Sequence, residues 1–584
     1  MRTVKSRAFP GYFVCCAALL AGCSDAAPPL PNNGAAGTSN GASGNATGGG
    51  GGGGSGPSAG MANTSGGAAA GTASGGSSSN SAGSDPGGSN TGGQGTAGSG
   101  GGTGGGGEVV GIVRPKGQLP NVPQDEDLVH LGANDPGRDK WKASLVSPDL
   151  ELRHHHGQPI VLNGYLGLMG NEEFWFWDIT DPTKPKKLGE FFTPNREPTG
   201  GEKKEGEAES HTVSLARYGD KFYLVTTGGH GVDIWDVTSQ TSIKHVKQIK
   251  LDGINYGDFT AAVWGLSWQG DYIYVGATDQ GLFILDAHDP LNVTVVKRLP
   301  TSAFGNVSAG PVDAIGNTLV ITTPKESAGI ATMDISDPVN PRYLDSIKPT
   351  TKSYIGAFYR RFVFLQFPVR VWDVLTDPSE IGAANMPLGT LTTADSEYMS
   401  FSDNFMFLGH LRPNGGASKI DVSDPAKGMS IKSRVWGRLD RGGINDDQFT
   451  IAIGSHLVMG DDEAPYQGTV IGIHSATPDK APPVVDTVIP KDKATGQDVK
   501  SRVGITFTDN IELATVNAAS FIVRPVGGAP LKGKWGSRMT VLNFDPDEDL
   551  KPATTYEVVL PKGGITDLVQ NGIAEEFKST FTTK

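Results

Sequence analysis

Cysteine is almost absent from this chain of 584 residues, and its three cysteines are Cys15, Cys16 and Cys23. Beyond residue 23 the chain therefore has no disulfide, no thiolate nucleophile and no cysteine-ligated metal. Charged residues are sparse too, at 19%, and the formal net charge is −13. This acidic balance disfavours nucleic acid as a partner, because its phosphates would be repelled.

Long apolar runs are also missing. A helix that crosses a bilayer needs about 20 consecutive apolar residues, and no segment after the N-terminus supplies them. The opening "MRTVKSRAFPGYFVCCAALLAGC" carries Arg2, Lys5 and Arg7 before an apolar stretch. That stretch has only about 12 residues, which is typical of an export signal.

The signal ends in Leu20, Ala21, Gly22 and Cys23. These residues resemble the lipobox of bacterial lipoproteins, which implies removal of residues 1–22 and acylation of Cys23. An ordinary signal peptide cut near the same place is the alternative. Loss of the three basic residues would leave a net charge of about −16. By this resemblance, the absence of Asp after Cys23 implies a surface-exposed outer-membrane lipoprotein. Two or more acyl chains would hold it stably.

Residues 23–107 are rich in Gly, Ser and Ala, as in "TGGGGGGGSGPSAG". Such a segment cannot bury enough apolar surface to offset the entropy of ordering it, so we predict a disordered linker. About 80 flexible residues span roughly 50 Å, which would hold a folded part away from a membrane.

A strand followed by an Asp-containing turn recurs about every 49 residues. The aligned turn positions are Asp178, Asp236, Asp286, Asp334, Asp373, Asp421 and, with a departure, His474. Four short strands fit in each period, which predicts an all-β fold containing a seven-bladed β-propeller. The repeated Asp is expected to fix each turn by accepting bonds from backbone N–H groups.

The unit around "GLFILDAHDP" explains why the chain repeats itself. Leu282 and Ile284 face one side of the predicted third strand, and Phe283 and Leu285 face the other. A strand that is apolar on both faces must be covered on both. Blades that flank one another in a ring would provide that cover.

"GLFILDAHDP" and "GIATMDISDPVNP" resemble the LVIVD repeats of bacterial and archaeal extracellular propellers. We assign the propeller to residues 108–481 and expect a strand from residues 108–150 to be available for closing the ring. The copy "GTVIGIHSATP" lacks the Asp and the Asp-Pro, which leaves the turn of the seventh blade uncertain.

Residues 482–584 alternate polar and apolar positions over strand-length segments, which is typical of a β-sandwich. The Pro-rich start "APPVVDTVIP", the middle "LKPATTYEVVLP" and the end "TFTT" resemble bacterial Ig-like domains. "APPVVDTVIP" could serve as the last propeller strand, the first sandwich strand, or both.

The loops that enter the first strands of the blades are expected to converge at an axial mouth. Alignment of the units places there His156, His211, Trp264, Gly310, Tyr354, Glu397 and Gln448. Imidazole, carboxylate and aromatic groups at one mouth could hold a divalent cation, with His156 and His211 as its ligands, or stack on sugar rings. A solvated loop with no ligand would show the same residue types.

Other motifs of chemistry are weak. "DPDEDLKPATTYE" places Asp545, Asp547 and Asp549 at calcium-loop spacing, but Leu550 stands where the turn needs Gly. Zinc-protease, serine-elbow and dinucleotide motifs are absent from the chain after the linker.

We therefore expect a lipid-anchored, surface-displayed binding or adhesion protein with no evident catalysis and no required cofactor. Its partners would be the membrane, through the lipid, and a carbohydrate or an extracellular or envelope protein. A metal-assisted polysaccharide hydrolase or lyase at the axial mouth is one alternative, and a scaffold for envelope protein assembly is another.

Overall fold

A computed structural model describes residues 114–121, 157–170, 173–194, 210–325, 329–348, 354–366, 368–383, 387–392, 396–410, 416–435, 447–461 and 468–584. Within these ranges the secondary structure is β-strand, apart from short 3-10 turns at Thr301–Phe304, Ile381–Ala383 and Leu513–Thr515. None of the described helices has the length and apolar character that crossing a bilayer requires. The predicted signal, Cys23 and the linker lie outside the described residues.

The first 27 strands form seven successive antiparallel units within the described residues. Units one to three contain β1 (Ile160–Leu162), β2 (Tyr165–Met169), β3 (Glu173–Asp178), β4 (Lys186–Phe192), β5 (Ser214–Tyr218), β6 (Lys221–Gly228), β7 (Gly231–Asp236), β8 (Lys244–Lys250), β9 (Gly265–Gln269), β10 (Tyr272–Gly276), β11 (Leu282–Asp286) and β12 (Thr294–Leu299). Units four and five contain β13 (Val312–Ile315), β14 (Thr318–Ile321), β15 (Ile330–Asp334), β16 (Arg342–Ile347), β17 (Ala357–Tyr359), β18 (Phe362–Leu365), β19 (Val369–Asp373) and β20 (Gly389–Leu391). Units six and seven contain β21 (Ser396–Ser402), β22 (Phe405–His410), β23 (Ala417–Asp421), β24 (Ser430–Val435), β25 (Asp447–Ile453), β26 (His456–Asp461) and β27 (Gly468–Ile473).

The third unit has the four strands that its sequence predicts, in the order β9, β10, β11, β12 across the sheet. Leu282 and Ile284 of β11 pack into an apolar cluster with the fourth unit. Phe283 and Leu285 pack on the opposite face, against the second unit. The prediction that this strand is covered on both faces is confirmed.

The repeated Asp side chains fix the turns, as predicted. In each case one carboxylate oxygen accepts a hydrogen bond of 2.9 or 3.0 Å from a backbone N–H two or three residues later. The six residues that do so are Asp178, Asp236, Asp286, Asp334, Asp373 and Asp421. In the seventh unit, His474 Nε2 instead bonds to the backbone oxygen of Gly454 at 2.8 Å.

Apolar clusters join each unit to the next. Besides the two clusters that flank the third unit, clusters lie between the first and second units, the fourth and fifth, the fifth and sixth, and the sixth and seventh. Another cluster joins the seventh unit to the first, through Ile451 and Ile471 on one side and Val161 and Trp175 on the other. Leu119 packs into this cluster, although residues 114–121 form no strand.

The C-terminal strands form two four-stranded arrays, as expected for an Ig-like sandwich. One array has the order β28, β30, β33, β32, and the other has β29, β35, β34, β31. Their bounds are β28 (Val485–Ile489), β29 (Ala494–Gln497), β30 (Val503–Phe507), β31 (Ile522–Pro525), β32 (Gly533–Arg538), β33 (Val541–Pro546), β34 (Thr555–Leu560) and β35 (Phe577–Thr583). The segment "APPVVDTVIP" supplies β28, which pairs with β30 of the sandwich.

The sandwich and the repeat units share one sheet. Strand β32 pairs antiparallel with β5, the first strand of the second unit, so that Gly536 lies opposite Ala216. The hairpin of β32 and β33 also contacts the first strands of the third and fourth units. The C-terminal hairpin therefore lies among the first strands of several units.

Candidate functional site

The structure brings together three of the side chains predicted at the axial mouth, those of His211, Trp264 and Tyr354. His211, Trp264, Tyr354 and Gln448 lie where the chain enters first strands, and all four are buried. Gly310 occupies the equivalent place before β13. His156 lies outside the described residues, and Glu397 is on β21 with a side chain that the structure does not describe.

Aromatic contacts hold this group together. The rings of His211 and Trp264 have centroids 4.2 Å apart, and Trp264 stacks on Tyr354 at 5.2 Å with an interplanar angle of 18°. Stacking of this kind adds to the free energy gained by burial. The group is therefore a packed cluster and not an open channel lined by separate side chains.

A buried polar atom in this cluster, the indole N–H of Trp264, lacks a hydrogen-bond partner among the described residues. The side-chain carbonyl oxygen of Gln448, on β25, also lacks one. Buried polar groups are usually paired with protein or water, so each exception calls for an explanation. The indole N–H of Trp264 is a donor that would suit a hydroxyl group of a ligand.

Repeat alignment alone missed four aromatic members of the site. Tyr398 and Phe449 are buried and stack at 4.0 Å, whereas Tyr256 and Phe259 are half-buried on the loop before β9. Phe259 meets Trp264 edge to face at 5.2 Å. The last two residues have no counterpart in the other units, but the aromatic content of "INYGDFT" was a local signal.

The Ig-like domain covers the opposite ends of the first strands, where each first strand turns into the second. Glu512 accepts hydrogen bonds of 2.9 Å from the backbone N–H groups of Asn163 and Gly164 in the first unit. Asn543 accepts one of 2.8 Å from Gly316 in the fourth unit, and Thr508 accepts one of 3.0 Å from Asp403 in the sixth. The aromatic cluster is thus at the end of these strands that the Ig-like domain leaves uncovered.

Carboxylates gather at one edge of this contact. Oxygens of Asp403, Asp479 and Asp509 lie within 4.8 Å of one another, and this is the one group of metal-binding type within the described ranges. Burial, followed by repulsion from Asp479, raises the pKa of Asp403 to about 7. Burial likewise raises the pKa of Asp567 to about 7. When these carboxylates are ionised, they repel one another across the contact between the repeat units and the Ig-like domain.

The predicted metal ligands are not tested by this geometry, since only His211 of the pair is described. A cation at His156 and His211, and catalysis at the axial end, stay predictions. The calcium-loop motif does not fold as a single-loop site, because Asp545 turns inward to an ion pair of 3.2 Å with Arg502.

Sequence comparison agrees with the two kinds of domain seen in the structure. The family described as a bacterial Ig-like domain matches residues 479–583, and the LVIVD repeat family matches residues 262–301. The chain therefore contains an LVIVD repeat and a bacterial Ig-like domain. No curated protein matches the chain.

Several solved structures are similar at low identity. The beta-propeller domain of Myceliophteria thermophila Cps50 (Swd1) is 12% identical, with a TM-score of 0.40 over 56% of this chain and 98% of that one. BamB from Moraxella catarrhalis is 11% identical, with a TM-score of 0.34 over 55% of this chain and 83% of that one. The RRP9 WD40 repeats are 11% identical, with a TM-score of 0.39 over 56% and 97%.

Proposed function

We propose that the protein is a lipid-anchored, surface-displayed binding protein whose repeat units close into a seven-bladed propeller with a carbohydrate site at its free axial end. The carrying observation is the aromatic cluster around Trp264, at the ends of the first strands opposite the Ig-like domain. Aromatic faces with the free indole donor of Trp264 suit a sugar ring, which has apolar faces and hydroxyl edges.

Closure of the ring has its own support. Each unit shares an apolar cluster with the next, and the cluster of Ile451, Ile471, Val161 and Trp175 joins the last unit to the first. A ring leaves no unit with an uncovered apolar face, which is the requirement that a two-faced apolar strand imposes.

The Ig-like domain is, in this proposal, the closure of one axial end and not a separate binding module. Its contacts with the turns of several units would direct ligands to the other end, where Tyr256 and Phe259 are half-buried and accessible.

A glycan array probed with the purified protein tests the site. The double variant Tyr256→Ala/Phe259→Ala should lose binding, because stacking of a sugar needs the aromatic faces. The matched control is Tyr343→Ala/Leu291→Ala, which removes exposed apolar side chains from outer segments of the third and fourth units. Equal binding by both variants would contradict a glycan site at this end.

Labelling of cells with palmitate tests the anchor separately. The unaltered protein should take up label, and Cys23→Ser should not. Equal labelling of the two, or none in either, would remove the lipid anchor from the proposal and leave the axial site untouched.

A further inference from the structure

A cavity lies between the repeat units and the Ig-like domain, and none of the residues of the aromatic cluster lines it. Its volume is about 240 Å³, whereas one water molecule occupies about 30 Å³ of the liquid. Its walls come from the third and fourth units, including Tyr272 and Asp337, and from two Ig-like loops, 499–502 and 545–549. Clefts between domains are common places for small ligands.

Arg502 is the most unusual group in this cleft. Its side chain is only 5% exposed, yet its Nη1 has no hydrogen-bond partner among the described residues. Asp545 forms an ion pair with Arg502 and lies 3.2 Å from Nε. The guanidinium also lies over the ring of Tyr272, at 5.2 Å from its centroid. A buried guanidinium held in place with an unpaired N–H group at Nη1 is suited to an acceptor such as a carboxylate.

Negatively charged side chains lie at the rim of this cavity. Asp547, Glu548 and Asp549 are exposed on the loop after β33, and they line the same cavity. Asp547 pairs with Lys534 at 3.1 Å, whereas Glu548 and Asp549 have no hydrogen bond or ion pair with another described residue. These two carboxylates are suited to a cationic group.

Neither a purely anionic ligand nor a purely cationic ligand fits the cleft. A simple anion would meet six carboxylates and only three basic side chains, those of His288, Lys500 and Arg502. A simple cation would leave the donors of Arg502 unused and would be repelled by its charge. A ligand with both charges satisfies both ends.

We propose that this cleft binds a small zwitterion of the α-amino acid class, with its carboxylate on Arg502 and its ammonium group facing Glu548 and Asp549. The site is independent of the proposed glycan site, because the two share no residue. Tyr272 would contact the aliphatic part of the ligand.

Isothermal titration calorimetry of the full-length protein tests the proposal, with glycine and L-alanine as probes. Acetate and ethylamine each carry one of the two charges and serve as half-ligands. We expect one amino acid to bind per chain, and we expect each half-ligand to bind at least about tenfold more weakly. No binding of either amino acid, or acetate binding as tightly as L-alanine, would overturn the proposal.

Two variants locate the site. Arg502→Met should abolish binding, but it alters a buried group, so Glu548→Gln/Asp549→Asn on the exposed loop provides the independent test. That double variant should weaken binding about tenfold or more. Glu575→Gln/Glu576→Gln makes the same change of charge elsewhere on the Ig-like domain and should bind as the unaltered protein does. Unchanged binding by the 548/549 variant would place the ligand elsewhere and refute the assignment.

Discussion

Arg538 and Asp313 lie 225 residues apart in the chain, and their side chains form an ion pair that is almost completely removed from solvent. Arg538 comes from β32 of the Ig-like domain, and Asp313 comes from β13 of the fourth unit. A charge in this position is tolerated only because its partner is present.

Removal of one member of this pair should be costly. Arg538→Met or Asp313→Leu alone would leave a buried charge without its partner, at a cost of about 3–5 kcal/mol in the free energy of unfolding. The double variant should recover much of that loss, since no unpaired charge remains. Denaturant unfolding of the four proteins gives the coupling energy, and additive losses would contradict a direct pairing.

Gly536 allows β32 to approach the third unit closely. A Cβ at this position would overlap the backbone oxygen of Trp268. Gly536→Val should therefore lower the stability by about 1–3 kcal/mol or more, although Val favours strands in general. Thermal unfolding measures the loss, and hydrogen exchange should show weaker protection in β5. Gly257→Ala, where an added Cβ would have the side-chain oxygen of Asn255 as an ordinary neighbour at 3.4 Å, is the control.

The repeat units and the Ig-like domain should unfold together. Their shared sheet and the apolar cluster of Leu215, Trp235, Phe521 and Trp535 make the two parts mutually dependent. Scanning calorimetry should give one transition, with equal calorimetric and van't Hoff enthalpies. Two separate transitions would show that the domains are independent.

The carboxylates at the domain contact should make stability depend on pH. A carboxyl group with a pKa raised by folding stabilises the fold at low pH, and this contribution is lost as the pH rises from about 4 towards about 7. Asp403→Asn removes one such group and keeps the left-handed backbone, which Asn tolerates at φ 49°. The variant should gain stability over the unaltered protein at pH 8 and lose that advantage at pH 4.

The titration of the buried His456 does not alter the expected difference in stability between the two proteins. His456 has a pKa lowered by burial to about 4, and it titrates in both proteins, so its effect cancels in the difference. Unfolding free energies at pH 4, 6 and 8 measure the change, with the exposed Asp549→Asn as control. A difference that is the same at all three values would contradict the explanation.

The turn aspartates should contribute to stability and not to binding. Asp236 accepts a hydrogen bond of 3.0 Å from the backbone N–H of Thr238. Asp236→Ala should cost about 1 kcal/mol, whereas Asp236→Asn, which keeps an acceptor, should cost less. Urea unfolding checks this, and Asp549→Ala, an exposed carboxylate without a described partner, should have little effect. If Asp236→Ala lost ligand binding without any loss of stability, that result would favour a ligand-binding role for Asp236.

Sequence patterns could predict the local elements of this fold well. The short apolar runs in "YIYVGAT" and "LFILDA" predict β10 and β11, because apolar strand segments and the turns that bound them are local properties. The same patterns predict the sandwich, although the segment "APPVVDTVIP" left its first strand ambiguous.

The contact between the two domains had no local signal. The segment "GKWGSR" indicates a strand, but nothing in it specifies β5 as its partner, since strand pairing depends on residues far apart in sequence. The same is true of the cleft at Arg502, whose walls come from five separate segments. At the axial end, alignment found His211 and Trp264 because they recur in position, and it missed Phe259 because that residue does not.

The pairing of β32 with β5 also has a consequence for the order of events in the cell. The hydrogen bond from the Ser214 hydroxyl to the backbone oxygen of Ser537 can form only after Ser537 has been synthesised, 323 residues later. Until the last part of the chain emerges, the inner edge of the second unit has no strand beside it and is open to wrong pairing. A chain that lacks β32 would therefore leave the edge of β5 unpaired, and chaperones that hold unpaired edges should matter most just before synthesis is complete.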